Sequence, residues 1–217
     1  MQTELARFNM IAQQIRPWDV RDQQVLDLLD TIKREQFVPT AWKPMSFVDM
    51  EIPLGHDETM MSPKMEARIV QEMRITATDT VLEIGTGSGY LTALLAGCAQ
   101  QVISVDIISE FTIQAAAKLL ANGIDNIRLT TGDGAQGWSR NAPYQVIVLT
   151  GSTPLLPKQF LHDLTIGGRL FAMVGDAPAM SAQRITRIAE NNWHTEHLFE
   201  TDVRPLRNAL QPERFIF

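Results

Sequence analysis

At 217 residues the chain is long enough to bury a proper core, and length alone favours one domain. Apolar residues make up 45% and charged residues 20%, an ordinary globular balance far from that of a disordered chain. The net charge of −6 argues against a protein that holds nucleic acid by neutralising phosphates, and the single cysteine excludes a disulfide framework.

The N-terminal MQTELARFNMIAQQIR is amphipathic and lacks the basic start and continuous apolar stretch of a signal peptide. The chain contains no apolar run of about 18 residues. The expectation is therefore a cytoplasmic protein that does not enter a membrane. Helices are expected over Leu5 to Ile15 and Asp22 to Ile32, the second with apolar Val25, Leu26, Leu28 and Leu29, and Pro39 and Pro44 close this region. No strand is expected in this first third. Ser62-Pro63 reads as a cap residue followed by proline at the first helical position, so a helix starts at Pro63.

From Thr80 the pattern changes to apolar runs of strand length: TVLEI, QVISVD, IRLTTGD, QVIVLT and RLFAMVG. Helical segments lie between them at Tyr90 to Ala96, Ser109 to Leu120 and Pro157 to Leu164. This is the β-α-β-α alternation of a doubly wound, Rossmann-like sheet covered on both faces. After Gly175 the alternation stops. QRITRIAE, an Asn191-Asn192 turn and HTEHLFETDV read as an antiparallel hairpin that completes the sheet. The predicted organisation is one α/β domain, with residues 1–75 a helical segment for substrate or lid and 76–217 the cofactor-binding core.

VLEIGTGSGY ends a strand and opens a helix, which puts Gly85, Gly87 and Gly89 where the backbone must turn sharply and let a ligand approach. A dinucleotide fold would carry G-x-G-x-x-G. Here the spacing is G-x-G-x-G with Glu83 two residues ahead, and a carboxylate beside the loop disfavours a pyrophosphate. It suits a ligand with an ammonium and a sulfonium, as in S-adenosylmethionine. Asp106 ends the second core strand, where a carboxylate can accept from both ribose hydroxyls, and Asp133-Gly134 follows the third, where one can accept from an adenine amino group. Each feature alone also reads as ordinary structure: a tight turn, a helix cap, a turn signal. Together, in order and each at a strand end, they describe an adenosine site.

These segments resemble the protein-L-isoaspartate O-methyltransferases, which methylate the free α-carboxylate of isoaspartyl residues in damaged proteins. REQFVP and IPLGHDET are similar to that family's N-terminal segment, and VLEIGTGSGY to its cofactor loop. GDGAQGW with APYQVIVLT is similar to its stretch through the fourth strand, and GGRLFAMVG continues the match. The resemblance implies a class I methyltransferase fold, S-adenosyl-L-methionine as methyl donor and isoaspartyl proteins as partners. The cofactor contacts it implies are Glu83, Gly85, Thr86, Gly87, Ser88, Gly89, Asp106, Ile107, Asp133, Gly134 and Thr150. The substrate side is expected at Thr59, Met61 and Ser62.

The chain departs from the family there. Where the family commonly reads Thr-Ile-Ser-Gln-Pro, this chain reads Thr59-Met60-Met61-Ser62-Pro63, so a methionine, which donates no hydrogen bond, stands at the serine position. Ser62 then reads either as a replacement donor or as a helix cap. The family's Val-Pro-Leu becomes Val203-Arg204-Pro205-Leu206, with Arg204 either paired to an acidic substrate or solvated. Gln145 stands where the family often has Asp. Three functions remain open at this level: isoaspartyl methylation, methyl transfer to a different acceptor, and cofactor binding without turnover. His56, His194 and His197 have no neighbouring ligands at metal spacing, so no metal is expected, and Cys98 in LLAGCAQ reads as a small buried hydrophobe.

Overall fold

The computed structural model describes residues 2–213. Helix α1 (Gln2–Met10) continues into a π-helical turn at Ile11–Ile15, and α2 (Gln23–Thr31) starts where the Asp22 carboxylate accepts from Gln24 N–H at 2.9 Å. A short antiparallel hairpin follows, β1 (Ile52–Gly55) and β2 (Glu58–Met60), with Ile52 opposite Met60 and Pro53 opposite Thr59. It corrects the expectation of no strand in the first third. Gly55, His56 and Asp57 all have positive φ and reverse the chain, and a pair this short with a proline on it leaves too little alternation to be read. Helix α3 (Pro63–Met73) begins at Pro63 as expected and buries Met65, Ile69, Val70 and Met73.

The main sheet has seven strands in the order β5-β4-β3-β6-β7-β8-β9. These are β3 (Thr80–Ile84), β4 (Gln101–Asp106), β5 (Ile127–Thr131), β6 (Tyr144–Thr153), β7 (Leu164–Asp176), β8 (Ala179–Ala189) and β9 (Asn192–Thr201). Strands β3 to β7 run parallel, whereas β8 and β9 add on antiparallel, as the terminal hairpin pattern predicted. Helices α4 (Tyr90–Ala96), α5 (Ser109–Ala121) and α6 (Lys158–His162) connect the parallel strands. The last is shorter than expected, because Leu164 already pairs with Tyr144.

Strand alternation divides the interior. Val81, Val102, Val146 and Phe171 face a layer shared with Ile15, Leu26, Leu29 and Phe37 of the N-terminal segment. Leu82, Ile84, Ile103, Val105, Ile147 and Leu149 face the opposite layer. Both faces are covered, which is why these strands read as unbroken apolar runs. Strand order reverses between β3 and β6, and the carboxyl edge at that switch point is where an open α/β sheet leaves a crevice.

Candidate active site

A cavity of about 930 Å³, counted to its mouth, opens at this switch point. Its floor is the loop after β3. Gly85 (φ +101°) and Gly87 (φ +51°) hold the backbone in the left-handed region, and a Cβ on Gly85 would lie 2.0 Å from Thr150 Oγ1. The Thr150 hydroxyl is directed at the carbonyls of Ile84 (2.9 Å) and Gly85 (3.0 Å), tying β6 to the loop. Asp106 completes the loop's support: its carboxylate accepts from Gly87 N–H at 2.9 Å and from Ile108 N–H at 2.8 Å. Burial pushes its pKa up, and these backbone donors hold it down.

Thr86, Ser88, Asp106, Ile107, Asp133, Gly134 and Thr150 line the cavity together with Gly85 and Gly87. Asp133 accepts from Ala135 N–H at 3.0 Å and from Asn208 Nδ2 at 2.8 Å, which fixes its carboxylate at the mouth. A Cβ on Gly134 would meet Ile84 Cδ1 at 2.8 Å, so the glycine keeps this wall open.

Two expected contacts are elsewhere. Glu83 shares its strand face with Val81, away from the face that carries Ile84 to the cavity, and it is fully buried. Its Oε2 accepts from Thr92 Oγ1 (2.5 Å) and Ser104 Oγ (2.6 Å), and Ser104 is 2.6 Å from Thr86 Oγ1. Glu83 thus braces the loop from beneath. Burial pushes its carboxyl up to about 8, against the two hydroxyl donors, so the group is largely neutral at pH 7. Gly89 (φ +83°) starts α4 outside the cavity wall, and its hydrogen is needed because a Cβ would sit 3.0 Å from Ala115 Cβ on α5.

On the substrate side, Thr59 and Met61 line the cavity and Ser62 does not. The Thr59 hydroxyl donates to Glu51 Oε2 at 2.9 Å. Ser62 occupies the cap position of α3, where its carbonyl accepts from Met65 and Glu66 N–H, but its side chain caps nothing. It lines a second cavity with Trp18, Lys64, Glu200 and Asp202, and Glu51, Met61 and Val203 form the wall shared by both. The loop itself is anchored by buried Arg34, which pairs with Glu66, donates to Met61 O at 2.8 Å and stacks 5.1 Å over the Tyr90 ring. Burial lowers Arg34 to about 10, so it remains charged.

Sequence reasoning offered Arg204 as a partner for an acidic substrate but did not find the roof around it. The β1–β2 hairpin brings Leu54 and Glu58 over the cavity, with Leu54 Cδ1 3.3 Å from where a Cβ on Gly87 would be. Phe111, in the first turn of α5, also lines it. Residues 203–208 run alongside the end of β6 and are pinned by Ser152, which bonds to Arg204 O, Leu206 N and Val203 O at 2.9, 2.9 and 2.7 Å. From this segment Arg207 pairs with Glu58 (2.7 Å) and reaches His56 O, and Arg204 donates to Asp57 O. His56 Nε2 lies 2.8 Å from Glu110 Oε2. A signal existed in the positive-φ-prone Gly-His-Asp turn, but nothing local links it to Arg207. Gln145 has a structural role, accepting Thr80 N–H at 2.8 Å. Among the described residues no three His, Cys, Asp or Glu side chains gather as a metal site, and no helix is long and apolar enough to cross a membrane.

Similarity to known proteins agrees with this geometry. A Rhodopseudomonas palustris (strain HaA2) protein-L-isoaspartate O-methyltransferase 1 is 37% identical over 92% of this chain and 82% of its own. The protein-L-isoaspartate O-methyltransferase of Methanospirillum hungatei is 36% identical over 92% of both chains. Among solved structures, a Plasmodium falciparum chain described under the same enzyme name and crystallised with S-adenosyl-L-homocysteine superposes with a TM-score of 0.77 at 16% identity. It covers 94% of this chain and 97% of its own, and shares the fold. Residues 6–208 match the sequence profile of the protein-L-isoaspartate(D-aspartate) O-methyltransferases, and the chain belongs to that family.

Proposed function

We propose that the protein transfers a methyl group from S-adenosyl-L-methionine to the α-carboxylate of L-isoaspartyl residues in damaged proteins, the first step of their repair. The observation that carries this reading is the cavity at the switch point of a chain of this family, with a glycine loop, Asp106 and Asp133 on one wall. The donor set fits the cofactor. Asp106 and Asp133 offer acceptors for ribose hydroxyls and an adenine amino group, and the acidic rim of Glu51 and Glu58 suits a ligand bearing ammonium and sulfonium charges. Gly85, Thr86, Gly87, Ser88, Ile107, Gly134 and Thr150 would shape its bed, with Glu83 and Gly89 supporting from behind.

When bound, the cofactor supplies an electrophilic methyl on a sulfonium. A carboxylate oxygen forms the new O–CH₃ bond with its own lone pair, the carbon–sulfur pair leaves with sulfur, and no proton moves. The protein's task is therefore to orient the carboxylate and exclude water, by proximity and preorganised electrostatics. In this reading the segment up to residue 75 and the strap at 203–208 form the substrate side and roof, and the core beyond residue 75 holds the cofactor. The working compartment is the cytoplasm and the partners are protein chains, not nucleic acid or membrane.

A second reading, methyl transfer to another acceptor, is favoured by Met61 on the cavity wall and by the engagement of Thr59 with Glu51. The test is transfer of labelled methyl to an isoaspartyl peptide, with the matching aspartyl peptide as control and calorimetric binding of S-adenosylhomocysteine alongside. Transfer to the isoaspartyl peptide alone supports repair methylation. Cofactor binding without transfer moves the assignment to another acceptor or to a non-catalytic binding role.

A further inference from the structure

We infer that Arg204 is the residue that receives the substrate carboxylate, in place of a hydroxyl from the loop at 59–62; the inference rests on the acceptor proposed above. The cavity wall carries five carboxylates, of which Glu66 is paired with Arg34 and Glu58 with Arg207, leaving Glu51, Asp106 and Asp133 facing one further cation, Arg204. Such a wall suits the cationic cofactor and repels an anionic acceptor unless a cation faces it.

Employment of the candidate donors decides between them. The Thr59 hydroxyl is directed to Glu51, that of Thr150 to the Ile84 and Gly85 carbonyls, and that of Thr86 to Ser104. Met61 donates nothing, Ser62 lies outside this cavity, and Ser88 belongs to the glycine loop on the cofactor side. Arg207 is neutralised by Glu58 at 2.7 Å. Arg204 donates a single N–H, to the Asp57 carbonyl, and is in no ion pair among the described residues. Most of its N–H donors are therefore available to a ligand.

Its place in the fold is also suitable. Val203, its neighbour, lies with Glu51 and Met61 on the wall common to the two cavities, so a peptide lying in the second cavity would bring its carboxylate past Met61 to Arg204. The main-chain hydrogen bonds of Ser152 with Arg204 and Leu206, and its hydroxyl's bond to Val203 O, fix the backbone, and the bond to Asp57 O limits the swing of the guanidinium. Pairing through one carboxylate oxygen leaves the other to attack the methyl carbon.

The experiment compares wild type, Arg204→Gln and Arg204→Lys in the full chain. Each is given an isoaspartyl peptide with a free α-carboxylate and the same peptide with that carboxylate amidated. Methylation of the first is followed kinetically, and binding of both is measured by competition. Loss of a charge-assisted pair predicts that Arg204→Gln raises KM for the free-carboxylate peptide about 10- to 100-fold, more than it lowers kcat. Arg204→Lys recovers part of the loss, and S-adenosylhomocysteine affinity is unchanged in calorimetry. The decisive readout is discrimination: wild type binds the carboxylate peptide better than the amide, and Arg204→Gln binds both alike. If Arg204→Gln keeps that discrimination, or weakens both peptides equally, Arg204 acts only on the hairpin and the inference is overturned. If wild type neither binds nor methylates the isoaspartyl peptide, the proposed acceptor falls and Arg204's assignment with it.

Discussion

Substituting Gly85 by alanine tests the architecture of the glycine loop at its tightest point. The new Cβ would lie 2.0 Å from Thr150 Oγ1, and the residue would have to hold φ near +101°. The conformational strain on an L-residue costs about 1–2 kcal/mol. Relief of the clash requires either a backbone shift, costing roughly 1–3 kcal/mol, or rotation of Thr150 away from the Ile84 and Gly85 carbonyls, costing about 1 kcal/mol. The expected destabilisation is about 2–5 kcal/mol, measured by urea unfolding. Thr150→Ala removes the clashing atom and leaves only an ordinary 3.4 Å contact with Cβ. The double variant should therefore be more stable than the sum of the single effects predicts, by about 1–2 kcal/mol. A cost below about 1 kcal/mol for Gly85→Ala, or strict additivity with Thr150→Ala, would refute the proposed packing of β6 against the loop.

The remaining predictions concern two buried carboxyl groups, Glu83 and Glu66. Glu83 titrates near 8 in the fold against an ordinary 4.5, so the native state holds the extra proton between these values. Its contribution to stability is complete below 4.5 and is lost as pH rises through 8. Unfolding free energies of wild type minus Glu83→Gln should decline across that window; a flat or rising difference contradicts a neutral Glu83. Replacing Glu66 by glutamine strands the fully buried Arg34 charge that also holds Met61 O. A loss of about 3–5 kcal/mol is expected in chemical denaturation, together with faster proteolysis within 59–62. A loss below about 1 kcal/mol would mean the pair does not anchor the loop.

Much of the fold could be read from local signals that the tertiary structure reinforces. TVLEI, QVISVD and QVIVLT are strands buried on both faces, so their apolar runs carry the period of neither face and yet mark the sheet plainly. Asp106 and Asp133 could be placed because a strand end is a position in sequence as well as in space. Glu83 lies outside the cavity lining, and the same strand shows why. Two residues from Val81 and one from Ile84, it must face the opposite layer from the cavity-lining Ile84, and alternation outranks nearness to the loop. The roof was illegible for another reason. The hairpin at 52–60 and the strap at 203–208 meet through Arg207, Arg204 and Glu58, residues about 150 apart in the chain, whose types differ in no way from surface charges. Ser62 shows both effects: its cap position follows from the local sequence, whereas its place outside the cofactor cavity is set by tertiary packing.

The interactions around the cavity differ in strength by where they lie. At the base of the hairpin, Arg34 and Glu66 are 0% and 2% exposed, and breaking such a pair is expensive because a charge is left in the interior. At the tip, Arg207 and Glu58 are 42% and 29% exposed and His56 and Glu110 45% and 57%, so solvent screens them and each is worth at most about 1 kcal/mol. A two-stranded hairpin this short has little stability of its own. Its tip is therefore the part that can lift at small cost, while the 59–62 loop stays fixed to the core by Arg34. An enzyme that must exclude water during transfer and exchange its cofactor at each turnover needs that division. Here it follows from burial, because the same two kinds of charge that lock the loop inside the protein only latch the roof at its surface.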